Sequence, residues 1–219
     1  MFIIKKQLAI ITRDPIVSKF YENQILELFG EFVSTSIYNF FDGSIKNLKK
    51  VDLIAISTDA FNTNEEYDKY INKAQQVVEI EITYTRKAIK ILRSIPEGTE
   101  ALFVNLSENM AMEAITRLSQ LNINHIKFTP YYPGCIAPTD KFNIAITSGE
   151  ERYAPKDMAK IINIGHRVLD STTIVEIALK LELKYVLERK EFREYFNSIM
   201  SNNYVFDKLF GRSLRLESQ

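Results

Sequence analysis

The residues best able to hold a small molecule stand in short groups, each behind an apolar run. They are Thr12 and Arg13; Ser57, Thr58 and Asp59; Asn105 and Ser107; Tyr131 and Tyr132; Ser148, Gly149 and Glu150; and Gly165 with Arg167. Hydroxyls, amides and carboxylates in such places can hydrogen-bond a small polar ligand, and an arginine's planar fork suits a carboxylate or a phosphate. The plainer reading is that these polar groups only cap the helices that follow. Tyr131 and Tyr132, beside Pro133-Gly134, can form a binding wall or pack a long loop onto the core. Glycine at 149 and 165 would let backbone approach a ligand closely. Arg167 stands three residues before Asp170, so an Arg–Asp pair bracing a helix start is its plain alternative.

Catalytic signatures are weak. The chain has no GxGxxG, no GxxxxGK[ST] and no GxSxG. His125 and His166 have no evident nucleophile partner, and Cys135 is a loop cysteine without an adjacent base. One cysteine and two distant histidines do not make a zinc site. A phospho-receiver needs acidic residues after the first strand and a lysine after a late one. Asp14 is committed as a helix cap, and Asn105-Leu106-Ser107 offers no lysine. The expectation is a binding protein with no cofactor and no metal, not an enzyme.

The elements that must position these groups follow a βαβα rhythm. Apolar runs at Leu8–Thr12, Phe32–Tyr38, Val51–Ile56, Val77–Ile80, Ala101–Asn105, His125–Thr129, Phe142–Thr147 and Lys160–Ile164 read as strands. Asp14-Pro15 opens a helix with Val17, Phe20, Gln24 and Leu28 on one face, and Gly30 ends it. Further helices are expected at Asn64–Ala74, at Tyr84–Ser94, from Ser107 to about Leu121, and from Ser171 with Ile174, Ile177, Ala178 and Leu181 inward. No repeat of fixed period stands out. The pattern predicts a mainly parallel, doubly wound α/β fold with Rossmann-like or flavodoxin-like lobes, whose ligands sit at the carboxyl ends of the strands.

The bulk numbers narrow the class. A chain of 219 residues with 46% apolar content can build a real core. Lys plus Arg equals Asp plus Glu at 28 each, so direct nucleic-acid contact is not expected. The start, Met1–Lys6, is too short for a signal-peptide core, and no apolar run approaches the roughly 20 residues that span a bilayer. With a single cysteine, the expectation is a cytoplasmic protein with no membrane contact.

One stretch is distinctive: Tyr131-Tyr-Pro-Gly134, Asn143–Glu150, Ala154-Pro155 and Ile162–Ile174. It resembles the amino-terminal sensor region of bacterial sigma-54-dependent transcriptional activators that carry a following PAS domain. His166 and Asn163 depart from that family's usual proline and aspartate. The resemblance implies a regulatory input domain that is not itself the DNA reader, with downstream domains as partners. The expected division is a lobe over 1–96, a second over 97–183 and a helical connector over 184–219. A small polar effector, a carboxylate among the candidates, would bind at the strand ends between the lobes and favour a closed state. The apolar stripe Phe192, Tyr195, Phe196, Ile199, Val205, Leu209 and Phe210 would project from the body and pair with a second subunit, making a homodimer. A ligand-free interaction or dimerisation module is the rival reading, and an enzyme of unrecognised type a weaker one.

Overall fold

The structure, a computed structural model, describes residues 4–13, 15–58, 60–61, 63–136 and 141–200. The chain divides into two compact units. The first joins Met1–Ile82 to Val168–Gln219, and the second is Thr83–Arg167.

In the first unit the order is β1 (Lys6–Thr12), α1 (Pro15–Phe29), β2 (Val33–Asn39), β3 (Leu53–Ser57), α2 (Asn64–Tyr70) and β4 (Val77–Ile80). The four strands form one sheet in the order β2-β1-β3-β4, parallel throughout. Side chains alternate across it, as the pleat requires. Leu8, Ile10, Leu53 and Ala55 enter a core with α1, while Ala9, Ile11, Ile54 and Ile56 enter another with Ile45, Ala60 and Ile71. Because both faces are covered, these strands read as unbroken apolar runs.

After the second crossing come β10 (Val168–Leu169), α5 (Ser171–Lys180), a 3₁₀ turn (Lys184–Glu188) and α6 (Lys190–Ser198). Asp170 caps α5 through the Thr172 amide. Ile174, Ile177, Ala178 and Leu181 enter the α1 core as expected, and so do Phe192, Phe196 and Ile199.

The second unit holds α3 (Arg86–Arg93), β6 (Glu100–Val104), α4 (Glu108–Gln120), β7 (Lys127–Tyr131), β8 (Ile144–Thr147) and β9 (Lys160–Asn163). Its strands are again all parallel, in the order β7-β6-β8-β9. The short strand β5 (Ile82–Thr83), where the chain leaves the first unit, pairs with β10. The fold is therefore the expected parallel, Rossmann-like α/β architecture.

Four expectations need correction. Packing divides the chain after Ile82 and after Arg167, not near 96 and 183. The segment read as a connector is, over residues 184–200, part of the first unit. Its stripe is buried on the first unit's α1, where Phe192 meets Phe29 edge-on at 4.9 Å. Apolar area left in water costs roughly 25 cal/mol per Å², and here the stripe finds its partner in its own unit. Val205, Leu209 and Phe210 lie outside the described residues. Helix α2 stops at Tyr70 because Ile71 turns extended and buries its side chain, while the Asn72 carboxamide takes the Ala74 amide. Strand β7 begins at Lys127, because the His125 carbonyl accepts from Gly98 in a turn and its ring bonds the Leu92 carbonyl. Pro130 is tolerated in β7 because that strand is an edge.

Candidate functional site

In an open parallel sheet, ligands settle where the strand order reverses, outside the carboxyl ends of the two strands at that point. Each unit has one such point: between β1 and β3, and between β6 and β8. The described residues among those singled out from the sequence fall at these two edges, as two groups on two units.

At the first edge, Thr12 ends β1 and Ser57 ends β3, both buried. Thr12 Oγ1 lies 2.5 Å from Ser18 Oγ in α1, so this hydroxyl fastens the helix to the strand. The carbonyl of half-buried Arg13 accepts from the Phe41 amide at 3.3 Å. Thr58 is exposed, and Asp59 and Asp14 lie outside the described residues.

The second edge collects more. Asn105 follows β6; its Oδ1 accepts from Leu106 N at 2.8 Å and its Nδ2 donates to the Met110 carbonyl at 3.2 Å. Ser107 is the N-cap of α4, accepting from Met110 N at 3.3 Å. Both polar side chains therefore orient the start of α4, which is the plain reading of each. Tyr131 ends β7 and packs beside Leu102, Val104 and Ala145. Tyr132 stays half-buried, and desolvation together with a hydrogen bond to Glu108 pushes its phenol above the usual range.

The loops after β8 and β9 are tied together. Asn163 Oδ1 accepts from Gly149 N at 3.1 Å and from Gly165 N at 2.7 Å, while its Nδ2 donates to Glu151. Glu150 N donates to Thr147 Oγ1 at 2.8 Å, and Arg152 sits 3.3 Å from the Glu150 carboxylate. Gly149 has φ +92°, and a Cβ there would lie 2.1 Å from the His166 ring, so glycine is required twice over.

Behind this edge Tyr84 is fully buried, and its hydroxyl donates to the Ala114 carbonyl at 3.3 Å. Burial pushes its phenol up to about 12, against the pull of the Arg167 charge. Arg167 does not brace Asp170. It forms a two-pronged pair with Glu113 of α4, at 2.8 and 3.4 Å.

Glu113 and Tyr84 were not singled out from the sequence, and Asn163 was noted only as a departure from the resembling family's aspartate, not as a site residue. Asn163 carried a usable signal, since an asparagine two residues before a glycine at a strand end is a turn-forming pair. Glu113 and Tyr84 carried none, because their roles depend on how α3 and α4 seat against the strand ends. Among the described residues, no group of His, Cys, Asp and Glu is placed to hold a metal ion, and no helix is long and apolar enough to cross a membrane. No protein-family model, curated protein or solved structure matches the chain.

Proposed function

We propose that this chain is the small-molecule-sensing input domain of a bacterial transcriptional regulator, with its effector seated at the carboxyl edge of the second unit's sheet. The observation that carries the reading is convergence. Four separate stretches, 105–107, 131–132, 148–150 and 163–167, arrive at the ends of the neighbouring strands β6, β7, β8 and β9. Two of these ends are loops with glycine at positive φ, Gly149 and Gly165, tied by one carboxamide. Such an edge sets hydroxyls and a carboxylate-paired guanidinium around loops whose amides are already tied to Asn163 and Thr147, which suits binding more than bond-making chemistry. The regulatory part of the proposal leans on the resemblance to sigma-54 activator sensors. Gly149, Glu150, Asn163, Gly165 and Arg167, which sit in that resembling stretch, belong to this same edge. A cytoplasmic location and a homodimer belong to the proposal too, although α6 no longer supplies a projecting stripe for the dimer.

The test is amide-resolved NMR of the chain against a panel of small carboxylates, hydroxy acids and phosphates. Shifts concentrated at 105–107, 131–132, 148–150 and 163–167 support the reading; shifts confined to the first unit, or none, refute it. A protein-docking role has one observation in its favour: Leu106, Met112 and Ile136 are apolar and exposed at 38%, 47% and 104% of their full surface. That reading expects no small molecule to move these amides.

A further inference from the structure

The second unit holds a guanidinium that is nearly buried, while its partner carboxylate is not. The Arg167 side chain keeps 9% of its surface in water and the Glu113 side chain keeps 55%. Arg167 Nη1 donates to Glu113 Oε1 at 2.8 Å and Nη2 donates to Oε2 at 3.4 Å, the fork-to-fork geometry of an arginine reading a carboxylate. The Tyr84 phenol, whose hydroxyl donates to the Ala114 carbonyl one residue along α4 from Glu113, feels both charges, so the pair ties the loop after β9 to α4.

The two partners are not equally committed. A desolvated guanidinium left alone is strongly unfavourable, so Arg167 must face an anion at all times. Glu113 has no such need, because it stands on the exposed side of α4 and returns to water at little cost. Any soluble carboxylate that reaches Arg167 thus exchanges like for like. It takes over both hydrogen bonds and leaves the local charge beside the Tyr84 phenol unchanged. A phosphate dianion would instead add negative charge next to a buried hydroxyl.

We infer that Glu113 is a tethered stand-in for the effector's carboxylate, and that Arg167 is the group that reads it. The inference rests on the reading that the effector sits at this edge, and it names the ligand class as a small carboxylate. Glu113 then sets the threshold of the response, because every binding event must first displace it. A neutral side chain at 113 would compete with a neutral hydrogen bond, or with none, in place of a charged pair, a difference worth at least on the order of tenfold in affinity.

The probe is sodium acetate, titrated into the full chain at constant ionic strength and followed on the Gly149 and Gly165 amides by NMR. A parallel titration uses inorganic phosphate. Glu113→Gln and Glu113→Ala should each bind acetate on the order of tenfold more tightly than the unaltered protein, and Arg167→Met should abolish the shifts. Equal acetate affinity in the unaltered and Glu113 proteins, with loss in Arg167→Met, overturns the stand-in role and leaves the site intact. If acetate moves no amide of this edge in any variant, both the inference and the carboxylate reading of the site go. If phosphate gains from the Glu113 changes and acetate does not, the ligand class is wrong.

Discussion

Phe192→Ala tests whether α6 belongs to the first unit. The Phe192 side chain is fully buried, meets Phe29 of α1 edge-on at 4.9 Å and Phe196 at 6.5 Å, and shares a core with Ile25, Ile174 and Ile177. Truncating such a phenylalanine costs about 3–5 kcal/mol through lost burial and the cavity left behind. With a urea slope of about 2 kcal/mol/M, the unfolding midpoint of the first unit should fall by about 2 M. The sequence contains no tryptophan, so far-UV circular dichroism is the suitable probe. Tyr185→Ala is the control, because Tyr185 is 62% exposed and touches Phe32 only edge-on at 5.9 Å; it should cost about 1 kcal/mol or less. An unchanged midpoint for Phe192→Ala would mean that α6 is not packed on α1 and that a connector role is open again. By the same reasoning, removing residues 185–219 deletes the buried Val186, Leu187, Phe192, Phe196 and Ile199. The shortened chain should not fold cooperatively, whereas a projecting connector could be removed without unfolding the body.

Tyr84 makes the protein sensitive to base. Its phenol is pushed up to about 12 by burial, so between about pH 10 and 12 the unfolded chain has lost a proton that the folded one keeps. Stability should fall as pH rises through that window, by about 3 kcal/mol in full from this group. Tyr84→Phe should unfold with a shallower pH dependence, and equal slopes above pH 10 would refute the assignment. Gly149→Ala forces an alanine to φ +92° and drives its Cβ toward the His166 ring. A loss of about 1–3 kcal/mol is expected by thermal melting. Adding His166→Ala should restore the clash component and leave the backbone strain, and full restoration would mean that the strain had been misjudged.

What the sequence made legible was local. Pro15 and Gly30 bracket α1 as expected, and Gly30 leaves no room for a side chain, since a Cβ would lie 2.5 Å from the Leu26 carbonyl oxygen. Ser107 caps α4, and the second strand pattern gave β2 within a residue. The face of α1 was less well read. Tyr21, Ile25 and Phe29 are buried, while Val17 and Phe20 are only partly so. Gln24 bonds the Leu169 amide and the Tyr195 hydroxyl. Those partners lie far along the chain, and no helical period announces them. The lobe boundary failed for a related reason. Pro96-Glu-Gly98 is a turn between α3 and β6 inside one unit. The true crossings run through β5 and β10, whose short apolar sequences look like any other strand.

The most informative feature hidden from the sequence is that one topology occurs twice. Strand pairing sets Tyr38, Ile11, Ile56 and Glu79 in one row across the first sheet, and Tyr131, Val104, Thr147 and Asn163 in the same row across the second. One residue further on, Thr12 and Ser57 correspond to Asn105 and Ser148. The separation from Ile11 to Tyr38 equals that from Val104 to Tyr131, but Ile56 to Glu79 is longer than Thr147 to Asn163. A search for a fixed period therefore finds nothing, although the register matches row by row. The correspondence also explains the choice of edge. At the first switch point the Thr12 hydroxyl is bonded to Ser18 and Thr58 follows the buried serine. At the second, glycine follows the serine, and the next strand ends in Asn163 where the first sheet has Glu79. That pair of differences brings two backbone amides onto one carboxamide oxygen. A common strand order thus supplies two equivalent places, and the differences at Gly149 and Asn163 are what set the second apart, as the edge where the proposed effector is sought.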